Sequence, residues 1–417
     1  MPHQHIPSWL FGLLLLLAAP VLFFSQHLPQ WAPVAALIWL VAILLARGWA
    51  TRRWIGHTPA DIILLGLLLL LPLNQLIATD ASITLPRIYA FIADITIFYA
   101  LATQSHNRAL RWAGWLILLG GLLFIAATVP GTRFFSGPKL PIFNRSLYDL
   151  LPSGLRLPGD KDGFNPNMTA GLLALFLPPA LAISIRPQNW GQRLLASITT
   201  LLLVLVLFLT QSRGAILGML VATVLVSGLM IRALRWLWWG GALMMTGTLA
   251  LRGRALVELF LSSDTNSGVQ SLAQRTELWS RAIYAGLDFP FTGIGLGNFP
   301  DITQNLYPTY RVVITADVPH AHNIYLQALA EMGYPGLILH LAFWGVLLAA
   351  LIGQIRHGSG LQKVLATGLL GSMAHFLVHG IVDTPTYSPL SAIVIWGIWG
   401  LTMAVALAPS GETSLYD

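Results

Sequence analysis

The chain has 417 residues, of which 56% are hydrophobic and only 9% charged. Ordinary soluble domains carry about 25% charged residues, so the composition excludes a soluble enzyme or binding module and points to an all-α polytopic membrane protein. The net charge of +7 gives no case for nucleic-acid binding, because most of the basic residues outside two long loops fall in short loops on one side of the chain.

A helix needs roughly 20 mainly apolar residues to cross about 30 Å of hydrocarbon. Runs of that kind predict about 12 transmembrane helices, near 8–25, 31–47, 59–78, 87–104, 110–129, 167–185, 194–210, 214–231, 236–252, 324–353, 364–382 and 390–408. Strands of a membrane barrel need only about ten residues, and backbone polar groups in lipid must pair within the segment, so helices are the expected form. The first run lacks a basic leader and a small-residue cleavage site and is read as a retained helix.

Orientation follows from Lys and Arg, which accumulate in short cytoplasmic loops. With the amino terminus inside, those loops carry Arg47, Arg52, Arg53, Arg108, Arg111, Arg186, Arg193, Arg232, Arg235, Arg356 and Lys363, whereas the short outer loops carry Arg87 and Arg213. Both termini are then cytoplasmic. Residues 1–417 read as a single integral membrane domain with two elaborated outer loops, 130–166 and 253–323. Cysteine is absent, which suits an oxidising exterior but is weak evidence about compartment.

In the first long loop, Arg133, Lys139, Arg145, Arg156 and Lys161 form a basic set interleaved with Phe134, Phe135 and Phe143. Such a set either meets a phosphorylated glycolipid or is simply solvated. The loop closes on "GFNPN", where Asn165 and Asn167 are candidate helix caps or sugar ligands. Its "GDKDG" has too few oxygens for a calcium loop of the EF-hand type.

Arg213 lies in "LFLTQSRGAILG", at the outer junction of two apolar runs, with Gly214 expected to permit a sharp turn. It is either a snorkelling interfacial arginine or an anion ligand. The second long loop contains "SLAQRTELWSRAIYAGL", whose spacing predicts an amphipathic helix across the outer mouth bearing Arg275 and Arg281. The guanidinium fork suits a pyrophosphate. In "DFPFTGIGLGNFP" the glycines at 293, 295 and 297 resemble a nucleotide loop only superficially, since no strand precedes them; they predict a tight turn under a ligand or a helix.

"PHAHNIYLQALAEMGYPG" then joins the loop to the next apolar run. Imidazole suits proton abstraction near neutral pH, so His320 and His322 are either reactive groups or wet residues at a helix start, and an extended approach would aim them separately. Asn323 is a good helix cap. No third ligand accompanies the His-x-His pair, so no metal is expected. Glu331, two turns further on, has no evident role, and Asp94 within the fourth run is expected to make an internal hydrogen bond. His375, His379 and Asp383 recur every four residues and share a face: a proton pathway in a transporter, a support for an outer site, or an internal polar seam.

Taken in order, "GFNPNMTAGLLAL", "TQSRGAILG", "RTELWSRAI", "FPFTGIGLGNF", "HAHNIYLQALAEMGYPGL" and "HGIVD" resemble the bacterial O-antigen ligase and polymerase superfamily of inner-membrane glycan transferases, across about residues 163–383. That resemblance implies a glycosyltransferase-C-like, all-α membrane fold with short helices in the large periplasmic loop. It implies transfer of a glycan from an undecaprenyl pyrophosphate carrier to an acceptor hydroxyl, without a cofactor or metal and with inversion. The acceptor would be lipid A–core oligosaccharide, in lipopolysaccharide biosynthesis at the bacterial inner membrane, with the active site on the periplasmic side. Residue by residue, it implies that His322 is the catalytic base and that Arg213 and Arg275, with Arg281, bind pyrophosphate. His320, Asn323, Asp383, Arg145 and Arg156 become supporting residues. The alternatives are an O-antigen polymerase or protein O-oligosaccharyltransferase of the same superfamily and, from another class, a membrane transporter or flippase.

Overall fold

In the computed structural model, residues 7–51, 58–104, 107–132, 134, 148–149, 164–236, 238, 240–241, 243–244, 246–248, 250–252, 267–310, 320–386 and 388–408 are described. Among these residues the chain is helical, without strands, apart from an isolated bridge between Thr132 and Phe164. Fourteen α-helices follow in order: α1 Ser8–Leu16, α2 Ala19–Phe23, α3 Trp31–Thr51, α4 Asp61–Ile77, α5 Ala81–Ala102, α6 Asn107–Thr128, α7 Pro166–Ile185, α8 Trp190–Leu209, α9 Arg213–Met230, α10 Ser267–Asp288, α11 Phe299–Asn305, α12 Ile324–His357, α13 Gly360–His379 and α14 Pro389–Leu407.

Eight helices are long and apolar enough to span a membrane, and three shorter apolar helices, Ser8–Phe23, Asp61–Ile77 and Ser391–Leu407, accompany them. The protein is thus a polytopic membrane protein, and eleven of the expected runs correspond to apolar helices. The run at 236–252 includes residues outside those described. The large loop does contain two helices, α10 and α11.

The chain divides into two compact units. One comprises residues 1–110, 279–359 and 386–417; the other comprises 111–278 and 360–385. In the first unit, α1, α2 and α3 pack on α5 through Phe11, Leu15, Leu22, Leu40 and Ile97. A second contact joins α5, α12 and α14: Phe98 meets Phe343 edge-on at 5.5 Å, and Phe343 stacks on Trp396 at 5.2 Å. Such aromatic pairs contribute about 0.5–1.5 kcal/mol each beyond their buried area.

In the second unit, α13 packs against α7 and α9. Lipid is as apolar as leucine, so membrane helices associate through close packing at small residues and buried hydrogen bonds. Gly368 and Gly371 accordingly face Pro179 and Pro178 of α7, where an added Cβ would lie 2.4 Å and 2.5 Å from proline carbons. Pro179 has no N–H to offer the carbonyl of Leu175. Ser372 Oγ on α13 donates to that carbonyl instead, at 2.6 Å.

Candidate functional site

The second unit gathers the polar stripe of α13 and two of the expected arginines. His375 and His379 are 0% and 2% exposed, and each lies against glycines of neighbouring helices. A Cβ at Gly218 of α9 would sit 2.7 Å from His375 Nδ1; one at Gly171 of α7 would sit 2.7 Å from His379 Cε1. The imidazoles occupy space that any larger residue would take. His375 Nε2 is 3.1 Å from the Gly171 carbonyl, and since a carbonyl only accepts, the proton is on Nε2. His379 Nε2 lies 3.7 Å from Asp383 Oδ2. Asp383, just past the end of α13, is itself buried, and its Oδ1 accepts the Thr384 N–H at 2.9 Å.

Asp383 also stabilises the charge of Arg275. Burial pushes the Arg275 guanidinium below its ordinary value, Asp383 acts against that shift, and Arg213 adds to it through like charge. The charges of Arg213 and Asp383 thus both act on Arg275 within this unit. Arg213 opens α9 behind a buried turn of Thr210, Gln211 and Ser212. The sharp backbone in that turn is at Gln211, with φ 52°. The Gln211 side chain donates to Tyr148 Oη at 2.8 Å, and Tyr148 Oη donates to the Leu209 carbonyl at 3.0 Å. Gly214, expected to make the turn, lies within α9; its Cβ would meet Val382 Cγ2 at 2.6 Å and His379 Cδ2 at 3.2 Å. It is a packing glycine.

The first unit holds His320 and His322. Asn323 caps α12, its Oδ1 accepting from the N–H groups of Tyr325 and Leu326 at 3.0 and 2.9 Å. The preceding His322 has φ 51°, an uncommon conformation in which histidine is nevertheless enriched. Its N–H donates to His320 Nδ1 at 3.2 Å, and its carbonyl accepts from Trp279 Nε1 at 3.4 Å. The Ala321 N–H donates to Gln327 Oε1 at 2.7 Å. The two imidazoles meet edge-on with centroids 4.2 Å apart, so they form a pair and are not aimed separately. Because His320 Nδ1 accepts a hydrogen bond, its own proton is on Nε2. Arg281 of α10 lies between two rings, 5.8 Å from Tyr284 and 5.9 Å from Tyr310.

Residues 198–341 match the O-Antigen ligase family.

The match supports the O-antigen ligase and polymerase superfamily, and it spans Arg213, Arg275, Arg281, His320, His322 and Asn323. No curated protein matches the chain. A solved structure titled "Structural coordination of polymerization and crosslinking by a peptidoglycan synthase complex" is 19% identical, covering 83% of this chain and 96% of that one with a TM-score of 0.42.

Within the stretch matched by the O-antigen ligase family, the structure accounts for Glu331, which sequence reasoning left unexplained. Pro335 lacks the N–H that would pair with the Glu331 carbonyl, and Tyr334 N–H donates to Pro290 instead of the Ala330 carbonyl. The helix breaks at Gly333. The two freed carbonyls accept from Ile294 and Gly295 at 2.8 and 3.1 Å, and Glu331 Oε1 accepts the Gly297 N–H at 2.7 Å. Asn74 Oδ1 takes the Leu296 N–H at 3.0 Å. The glycine motif is thus a turn seated on a broken helix, with Gly293, Gly295 and Gly297 all at positive φ. The run at 324–353 was expected to be one continuous helix, and the glycine and proline at 333–336 are the sequence signal that could have marked the break; the partner carboxylate could not be paired by spacing. Arg145 and Arg156 lie outside the described residues. Asp94 is buried, and its Oδ1 has no hydrogen-bond partner among the described residues.

Proposed function

We propose that the protein is an O-antigen ligase, transferring a glycan from undecaprenyl pyrophosphate to a hydroxyl of lipid A–core oligosaccharide on the periplasmic face of the bacterial inner membrane. The observation that carries this reading is Arg275, whose guanidinium is pushed down chiefly by burial, with Asp383 acting against the shift and the like charge of Arg213 adding a smaller push. Two arginines against the single carboxylate of Asp383 leave an excess of positive charge, which suits a strongly anionic ligand better than a structural ion pair. The family match over both arginines supplies the chemical class.

In this reading the acceptor oxygen attacks the anomeric carbon, the bond from that carbon to the pyrophosphate oxygen breaks, and the carrier pyrophosphate leaves with the electron pair. Negative charge grows on the leaving group, so Arg213 and Arg275, assisted by Arg281, stabilise the transition state more than the ground state. His322 takes the acceptor's proton. Attack opposite the leaving group inverts the anomeric centre, without a metal or cofactor. His320 supports the His322 backbone through its accepted hydrogen bond, and Asn323 fixes the start of α12. The termini are cytoplasmic in this scheme.

Reconstitution of purified protein with lipid-linked glycan and lipid A–core tests the proposal. Transfer is expected from the wild type and is lost in His322→Ala and Arg213→Ala, both of which still insert. Full transfer by either variant removes its assigned role. Extension of one lipid-linked glycan by another, without use of lipid A–core, would instead make the protein a polymerase.

A further inference from the structure

The first unit contains a lateral cleft that the glycan-transfer scheme does not use. It has a volume of about 640 Å³ and lies among α1, α3, α4 and α5, walled by residues such as Leu15, Leu40, Leu64, Leu68 and Ile95. Leu44, Leu45 and Leu65 line it while remaining exposed on the flank, so it opens sideways, toward the hydrocarbon that surrounds a membrane helix. The volume is about twenty times the ~30 Å³ that a water occupies in the liquid, and water in such a space would lack the two to four polar partners it needs. An apolar chain fits this space.

One end of the cleft is polar, formed by Arg47, Asp61, Tyr99 and Thr103. Asp61 Oδ1 is already engaged, accepting from Tyr99 Oη at 3.0 Å and from Thr58 Oγ1. The Arg47 guanidinium lies 3.9 Å from the centre of the Phe11 ring, and Asp61 acts on its charge. Among the described residues, however, no oxygen accepts a hydrogen bond from it. An arginine within a membrane-spanning helix normally finds such a partner, and its planar fork matches phosphate oxygens. The connection that follows α3 adds Arg52 and Arg53 in sequence, a local excess of positive charge that favours anionic lipid.

We propose that this cleft is a binding site for an anionic glycerophospholipid, one acyl chain lying along the leucine-lined wall and the phosphate accepting hydrogen bonds from Arg47. The site is independent of the glycan-transfer reading. Native mass spectrometry of the delipidated full chain in detergent, titrated with phosphatidylglycerol or with phosphatidylcholine of the same chains, tests it. Wild type is expected to bind phosphatidylglycerol about tenfold more tightly. Arg47→Gln brings phosphatidylglycerol down to the phosphatidylcholine level, Arg47→Lys falls between, and Leu68→Trp weakens both lipids by filling the cleft. Soluble glycerol phosphate, which has no chain, does not bind. Should Leu68→Trp fail to fold, Leu44→Trp at the exposed mouth makes the same test. Equal binding of the two lipids by wild type overturns the proposal, as does phosphatidylglycerol binding that is indifferent to Arg47→Gln, to the tryptophan substitution or to the loss of the acyl chains.

Discussion

His322 is set by three local facts: a left-handed backbone, a carbonyl held by Trp279, and an N–H held by the neighbouring His320. Its ring is positioned by main-chain contacts, which side-chain truncation does not remove. His322→Ala is therefore expected to keep the fold and lose about 10²–10⁴ in transfer rate, the range for a general base. Arg275→Lys keeps the charge but not the fork; a loss of about 10²–10³ in kcat with unchanged solubility is expected if the fork aims at the leaving group, as for removal of one preorganised donor. A kcat equal to wild type would reduce Arg275 to a point charge. Both residues were candidates at the sequence level, and it was the ordered resemblance that chose His322 over His320 and gave Arg275 its role, since spacing alone distinguishes neither. Gly214 was misread for a physical reason. A glycine next to a polar junction has two uses, a turn or a close approach, and only the packing of Val382 and His379 against it decides for the second.

Elements show the same division between local and distant causes. The run at 324–353 was expected to be continuous, but Gly333 and Pro335 break α12, and the consequence lies in which groups take the carbonyls it frees: the amides of a turn some 40 residues earlier in sequence. Glu331 completes that seat through the Gly297 N–H. Glu331→Ala leaves a buried donor unpaired and is expected to cost about 1–3 kcal/mol of stability, whereas Glu331→Gln, which still offers an oxygen, costs less. Thermal unfolding of the purified variants checks the order; equal losses would mean that the carboxylate acts by charge. In the second unit, α9 approaches α13 closely enough that Gly218→Ala would place a methyl 2.7 Å from His375 Nδ1 and 3.0 Å from its carbonyl oxygen. An overpacking penalty of about 1–3 kcal/mol is expected, read as a lower unfolding temperature. The histidine stripe was visible at four-residue spacing, but the glycines that receive it come from two other helices, and no pattern within one segment connects them.

For the whole molecule, the apolar runs were the most legible feature, since length and hydropathy alone define them, and α10 followed from one amphipathic pattern, whereas α11, directly after the glycine turn, had no such signal. The division into two discontinuous units was not legible. The first is assembled from 1–110, 279–359 and 386–417 and the second from 111–278 and 360–385, so nothing local marks the boundary. The proposed reaction uses neither metal nor a sealed compartment, and transfer rates are accordingly expected to be the same with and without a chelator; inhibition reversed by a divalent cation would contradict the metal-free scheme. The most direct measurement is turnover of undecaprenyl-pyrophosphate-linked glycan by purified protein in detergent, with lipid A–core as acceptor. The account predicts that undecaprenyl pyrophosphate is released as glycan appears on the acceptor, and that His322→Ala abolishes both. A donor left intact in detergent but moved across sealed vesicles would contradict it and identify a transporter.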